Sequence, residues 1–233
     1  MDNPWKAVGD TKPWVLAEDE PYVRMHNRLL DGEPDNPHYI HLDAPPSPFV
    51  GNFDAPLVVL LANPGREEED ERQQGESNIL PVILDGLRSD TGGEFWPLRE
   101  DFVGDWWRRR TREIATALGG GKPDYAPFLR NLLVIELHGY HSKSWFAPRA
   151  QFPSQRFAEH LVRRAMRNGA LIVAARAQKD WYSLVPTLPE SEGLYDYPNL
   201  IRGTKSSRSA YLSPGNLGDV NFDRVVAAIK SAG

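Results

Sequence analysis

The sequence predicts a three-layer α/β/α domain around a short, mainly parallel four-stranded sheet, and three observations support this. Segments with helical spacing of apolar residues alternate with strand-like runs, an order that implies right-handed crossovers and helices on both sheet faces. The composition, 40% hydrophobic and 25% charged over 233 residues, is that of a chain with a packed core. Four short runs are rich in Val, Ile and Leu and lack the alternation of a half-exposed strand: residues 57–62, 132–137, 170–175 and 199–201.

The first 50 residues differ from the rest of the chain. They are rich in proline and aromatic residues, and only residues 20–30 show helical spacing. Because so short a segment cannot bury a core of its own, we expect an extension that wraps a core formed by residues 51–233. The whole chain, residues 1–233, is therefore predicted to be a single domain.

The remaining elements follow from apolar spacing and from capping residues. Residues 65–104 form a long insertion, acidic at 67–71, of a length that is usually functional or mobile. Within it, Ser77 can cap a helix that runs to Leu87. Further helices are predicted at residues 106–118, which stop at three glycines, at residues 154–167, and from Asp219 or Asn221 onwards.

Composition also restricts the function classes. The absence of cysteine removes disulfides, thiolate metal sites and a cysteine nucleophile, and it favours a cytoplasmic location. No apolar run is long enough for a transmembrane helix, and the N-terminus does not resemble a secretory signal. With 27 basic and 32 acidic side chains the net charge is −5, so any attraction to nucleic acid must come from local basic patches.

Polar residues follow each predicted strand. Because ligands bind beyond the carboxyl ends of parallel strands, we expect these residues to converge on one cleft. Asn63 presents a carboxamide there, Pro64 fixes the turn and Gly65 allows close approach of a ligand, although the three together also suit an ordinary turn. The other candidates are Glu136, His138 and His141 after the second strand, Arg176 after the third, and Lys205, Ser213 and Asn216 after the fourth.

Glu136 has two interpretations. A carboxylate within an apolar strand is costly unless it is paired, so it can form a salt bridge with Arg176. Alternatively it accepts hydrogen bonds from the N–H groups of a heterocycle.

Other chemistries are not indicated. Glu136, His138 and His141 do not have the spacing of a metal site on a strand end, so we favour capping or backbone hydrogen bonding for the histidines and expect no metal or cofactor. The motifs of serine hydrolases and of phosphate-binding loops are absent from the sequence. Residues 106–112 combine two Trp with four Arg and suit either nucleic-acid stacking or an ordinary amphipathic helix. Residues 202–208 suit either a phosphate-binding loop or a solvated turn.

These features resemble the uracil-DNA glycosylase superfamily. Residues 50–65, ending in Asn63, Pro64 and Gly65, resemble its first signature turn, and residues 212–217 resemble its second. Residues 135–142 and 152–155 are also similar to a bacterial group of unknown function within or near that superfamily.

The resemblance implies roles for three parts of the chain. Asn63 would position a water or stabilise the sugar cation, Glu136 would read the base, and Ser213 to Asn216 would insert beside the extruded nucleotide. An anionic Glu136 would not complement the two carbonyls of uracil, so a base with amino or ring N–H donors is expected.

Three functions remain open at this point. The first is hydrolysis of the N-glycosidic bond of a DNA base. The second is binding of a nucleic acid or nucleotide without catalysis. The third is hydrolysis of small nucleosides, which the acidic segment 67–71 favours because it would repel DNA.

Overall fold

The computed structural model describes residues 1–66, 79–102, 104–188, 197–203 and 210–230. Its sheet has the order β1-β3-β2-β4-β5. The strands β2 to β5 pair in parallel, and β1 pairs antiparallel with β3. The strands are β1 (Phe49–Gly51), β2 (Leu57–Leu61), β3 (Leu132–Glu136), β4 (Leu171–Ala174) and β5 (Leu200–Arg202).

The predicted α/β class is confirmed, but the prediction of four strands missed β1, and the sheet is mixed. The physical reason is that β1 has three residues, too few for a hydrophobic period, and it joins the edge of the sheet through its neighbour β3.

The helices of the described residues fall mainly where apolar spacing predicts them. They are α1 (Glu20–Arg28), α2 (Ile79–Arg88), α3 (Asp105–Leu118), α4 (Phe128–Asn131), α5 (Gln155–Arg167), α6 (Gln178–Leu184), α7 (Pro214–Leu217) and α8 (Asp219–Lys230). The sequence did not predict α4 and α7, and it predicted a helix between the third and fourth strands without bounds for α6; these three helices are only four to seven residues long. Ser77 and the acidic segment 67–71 lie outside the described residues.

No helix in the described part of the chain has the length and apolarity needed to cross a membrane.

Alternate residues of the sheet pack into two different hydrophobic clusters. Val58 and Leu60 of β2 face the side covered by α5 and by Trp181 of α6. Leu57 and Val59 face the opposite side, which is covered by α3 and α8. The sheet is therefore enclosed on both faces, which explains why its strands lack polar alternation.

The N-terminal segment packs into the cluster on the α5 face. Trp5, Trp14 and Leu16 are buried there together with Val23 of α1. The segment thus supplies part of the core that covers this face of the sheet.

The longest crossover helices after β2 and after β3 lie on opposite faces of the sheet. After β2 the chain first forms α2, whose Leu84 and Leu87 join the cluster on the α5 face, and then α3 on the other face, whereas the segment after β3 leads to α5. Such a divergence between neighbouring parallel strands opens a crevice at their carboxyl ends. The Trp181 indole N–H donates to the carbonyl of Leu61 at 2.6 Å and so fixes the end of β2 beside this crevice.

Candidate functional site

A cavity of about 260 Å³ lies at the carboxyl ends of β2 and β3. Asn63, Pro64 and Gly65 line it beyond β2, and Glu136 lines it at the end of β3. Arg176, which follows β4, also lines it. Three of the four predicted strand ends therefore meet at one cavity, as expected for parallel strands.

The Asn63 side chain is held in one orientation by neighbouring acceptors. It is only 6% exposed, and its Nδ2 lies 2.8 Å from Ser142 Oγ, 2.9 Å from the carbonyl of Pro64 and 3.2 Å from that of Ser142. Because carbonyl oxygens can only accept, these contacts fix which end of the amide is nitrogen. No described residue donates to Oδ1, so this oxygen remains available to a water or a ligand.

Glu136 is buried without a hydrogen bond to its carboxyl group. The residue is 7% exposed, Oε2 is fully buried, and neither carboxyl oxygen receives a hydrogen bond from the described residues. The salt bridge to Arg176 that the sequence allows is not formed, although the charge of Arg176 acts on Glu136 through space. Burial raises the pKa of Glu136 to about 8, and Arg176 opposes this rise only partly.

The protonation state of Glu136 therefore differs from the sequence-based expectation. That expectation treated the side chain as an anion, whereas a carboxyl group with this pKa is largely protonated at neutral pH. The cause is desolvation, which depends on the tertiary packing around the end of β3.

Cationic side chains lie on the same cavity. Lys143 is exposed and Arg176 is partly exposed, while Arg66 forms a double hydrogen bond with Asp43 at 2.6 and 3.0 Å. The Arg66 guanidinium holds the pKa of Asp43 below its usual range. Among the described residues that line the cavity, Glu136 is the sole carboxyl group, and cationic side chains outnumber it.

Aromatic side chains form a further wall of the cavity. Trp96 and Phe102 come from the long insertion, and Trp106 and Trp107 come from the start of α3. The Arg110 guanidinium stacks on Trp106 with 3.5 Å to the ring centroid. Residues 106–112 thus lie in the first part of the helix α3, with both tryptophans on the cavity.

The two histidines have different positions. His138 is not among the cavity-lining residues described: its ring packs against Trp145 and Phe152, and its Nδ1 accepts a hydrogen bond from the Tyr140 N–H at 3.2 Å. Burial lowers the pKa of His138 to about 3. The structure thus separates His138 from the other candidate residues.

His141 lines the cavity, but its ring nitrogens contact the main chain. Nδ1 lies 2.8 Å from the Gly65 carbonyl oxygen and Nε2 lies 2.9 Å from that of Pro45. Burial lowers the pKa of His141, and these two hydrogen bonds act in the opposite direction. Its geometry indicates that His141 anchors the turn after β2.

Of the candidates after β5, Ser213 and Asn216 are not brought into the cavity. Ser213 precedes α7, and Asn216 is buried with its Nδ2 donating to the Tyr211 carbonyl at 2.8 Å. Neither belongs to the described lining of the cavity, and Lys205 lies outside the described residues. Tyr211, which precedes α7, lies beside the aromatic wall, because the Arg110 guanidinium contacts both the Trp106 ring and the Tyr211 ring.

Sequence reasoning missed part of the cavity wall. Trp96, Phe102 and Lys143 line the cavity but were not selected as candidates. The density of aromatic residues between positions 95 and 107 is a signal that could have indicated the wall. No local sequence pattern indicates that this segment lies over the ends of β2 and β3.

Comparison with known proteins found no relative of this chain. No protein-family model, no curated protein and no solved structure matches this chain. The resemblance of its two turns to signature turns therefore depends on the residues of this chain alone.

Proposed function

We propose that this chain hydrolyses the N-glycosidic bond of a nucleobase in DNA, as its resemblance to uracil-DNA glycosylases implies. The observation that carries the proposal is the placement of Asn63 and Glu136 on one cavity, each with an oxygen that no described residue hydrogen-bonds. Pockets for drug-sized ligands usually measure about 300–1,000 Å³. A cavity of about 260 Å³ suits something smaller, such as one heterocyclic base.

The proposed chemistry needs few groups. Cleavage of an N-glycosidic bond builds positive charge on the sugar and negative charge on the departing base, so fixed dipoles and charges supply most of the stabilisation. Asn63 Oδ1 orients the attacking water, and the cations Lys143 and Arg176 favour the departing anion. The base must first leave the helix, at a cost of a few kcal/mol. Stacking against Trp106 or Trp107 offsets part of that cost.

An assay on oligonucleotides that carry modified bases tests the proposal. We expect an abasic product from at least one of them, lost in Asn63→Ala and retained in Asn168→Ala, a variant of an exposed asparagine outside the described cavity lining. Absence of abasic product from every modified base tested would contradict the proposed hydrolysis.

One observation favours the alternative of binding without catalysis. The cavity-lining residues described offer no ordinary general base, because Asn63 is neutral, the raised pKa of Glu136 keeps it protonated, and both ring nitrogens of His141 contact carbonyls. In that case the protein binds nucleic acid or a nucleotide in a salt-dependent manner with no turnover. Asn63→Ala would then leave the affinity nearly unchanged.

A further inference from the structure

We propose that Tyr211 is a stacking platform for a nucleobase outside the cavity, on the nucleotide next to the one whose base the cavity holds. This inference deepens the proposed function, on which it rests for the base in the cavity. It defines the ligand class as single-stranded nucleic acid in which two neighbouring bases contact the protein, rather than a free base.

A stack of three side chains leads from the cavity wall to the surface of the molecule. Trp106 lines the cavity, and the Arg110 guanidinium lies over its ring with 3.5 Å to the centroid. The same guanidinium lies over the Tyr211 ring at 5.1 Å from that centroid. Arg110 and Tyr211 are outside the described cavity lining, so the stack extends beyond the cavity. Its outer member, Tyr211, is 41% exposed.

The main chain holds Tyr211 in place although its side chain is exposed. Its neighbours Ala210 and Leu212 are buried in the hydrophobic cluster on the side of the sheet that α3 and α8 cover. The Leu212 N–H donates to the Arg110 carbonyl at 2.9 Å, and the Tyr211 carbonyl accepts from Asn216 Nδ2 at 2.8 Å. The backbone that carries the ring is thus fixed before a ligand arrives, which reduces the entropy cost of binding.

The geometry of the stack gives the ligand class. The exposed part of the Tyr211 ring offers a π surface to a further planar group, and every nucleobase can stack on such a surface whatever the sequence. The centroids of Trp106 and Tyr211 are separated by no more than their two distances to the Arg110 guanidinium combined. Neighbouring bases of one strand can bridge this spacing. Because the bases of a duplex already stack on one another, the platform suits a single strand.

Binding of two designed DNA strands tests the inference separately from catalysis. Both are single strands of equal length built from abasic spacers, and one carries a single adenine whereas the other carries two neighbouring adenines. Fluorescence anisotropy of the labelled strands measures their affinities. We expect the second adenine to strengthen binding to the wild type by about 5- to 150-fold, the effect of one base–aromatic stack. With Tyr211→Ala, the gain should not exceed the doubling that two equivalent binding positions give.

Two further variants separate stacking from other effects. Tyr211→Phe keeps the ring and should keep the gain from the second adenine. Phe146→Ala is the matched control, because it removes an exposed aromatic ring outside the described cavity lining, and it should also keep the gain. Since the Tyr211 ring carries no charge, the slope of log affinity against log salt should be the same in wild type and Tyr211→Ala.

The inference is overturned if the second adenine adds equally to the affinity of wild type and Tyr211→Ala, if Phe146→Ala loses the gain as well, or if neither strand binds. Thermal unfolding checks that each variant is folded. Should Tyr211→Ala fail to fold, Tyr211→Leu, which keeps apolar bulk but has no ring, decides the question in its place. A gain that depends on Tyr211, without abasic product in the hydrolysis assay, would refute the enzyme and leave the platform standing. Abasic product without such a gain would refute the platform alone.

Discussion

Glu136 makes the stability of the fold depend on pH. Its pKa is about 8 in the folded chain against an ordinary value of 4.5, because burial disfavours the charged form. Below the ordinary value both folded and unfolded chains hold the proton. Between the two values the unfolded chain releases it and the folded chain keeps it. The free energy of unfolding therefore falls by about 1.4 kcal/mol per pH unit from this group, and the loss is complete above the folded pKa.

Replacing Glu136 with glutamine should remove this dependence. We expect the difference in free energy of unfolding, Glu136→Gln minus wild type, to increase by about 1.4 kcal/mol per unit between about pH 5 and about pH 8. Urea unfolding at four pH values measures it. The control is Glu113→Gln, an exposed position on α3. Parallel pH profiles for wild type and Glu136→Gln would contradict the predicted buried titration.

Among the elements, the edge strand β1 depends on one backbone conformation. Gly51 ends β1 with φ of +112°, and a Cβ placed there would lie 2.0 Å from the Leu132 carbonyl oxygen. A side chain at this position would thus combine an unfavourable φ with a clash against β3. Glycine is required here for both reasons.

Gly51→Ala should destabilise the fold by about 2–4 kcal/mol through this strain and clash. Gly86→Ala is the matched control, since Gly86 lies within α2 and a Cβ there meets nothing within 4 Å. Alanine in a helix should stabilise it by up to about 1 kcal/mol. Thermal unfolding of both variants gives the comparison, and equal effects would show that the β1 geometry is not constrained.

The elements also show what the sequence could and could not predict. Strands β2 to β4 were predictable because burial on both faces leaves continuous apolar runs, and α3 and α5 were predictable because glycines end them. Strand β1 was missed because three residues carry no periodic pattern.

The same distinction applies to the site. Asn63, Glu136 and Arg176 could be placed together because parallel strands end at the same edge. The position of His138 could not be predicted, because it depends on the turn that follows β3, where the N–H groups of Leu137 and His138 both meet the Ala62 carbonyl. The raised pKa of Glu136 likewise comes from tertiary burial, which no local pattern encodes.

At the scale of the whole molecule, a buried polar network joins the N-terminal segment to the core. The Tyr140 hydroxyl donates to Asp19 Oδ2 at 2.7 Å and accepts from the Leu16 N–H at 3.2 Å. Asp19 is fully buried, and its Oδ1 accepts from the Ser154 N–H at 3.0 Å. The network therefore connects the segment before α1 with the segment between β3 and α5.

Tyr140→Phe should weaken this connection. The change leaves a buried carboxylate oxygen and a backbone N–H without their partner, at a cost of about 1–3 kcal/mol for each unsatisfied group. We expect a lower midpoint in urea and faster hydrogen exchange in residues 14–23. Phe152→Leu is a packing control, because it alters a neighbouring core side chain that offers no side-chain hydrogen bond. If Tyr140→Phe matched wild type in both measurements, the network would not anchor the segment.

The charge of the whole molecule requires that any binding of nucleic acid depend on a few local cations. The chain carries a net charge of −5, so a polyanion is repelled overall, and any attraction must come from local cations such as Lys143 and Arg176 on the cavity. Each phosphate contact to single-stranded DNA contributes about 0.7 to the slope of log affinity against log salt.

Under the proposed function, Lys143→Ala and Arg176→Ala should each weaken binding and reduce that slope by about this amount. Arg149→Ala, an exposed cation outside the described cavity lining, should leave the slope unchanged. Filter binding at several salt concentrations distinguishes these outcomes: equal slopes for all three variants would place the phosphate contacts elsewhere on the surface.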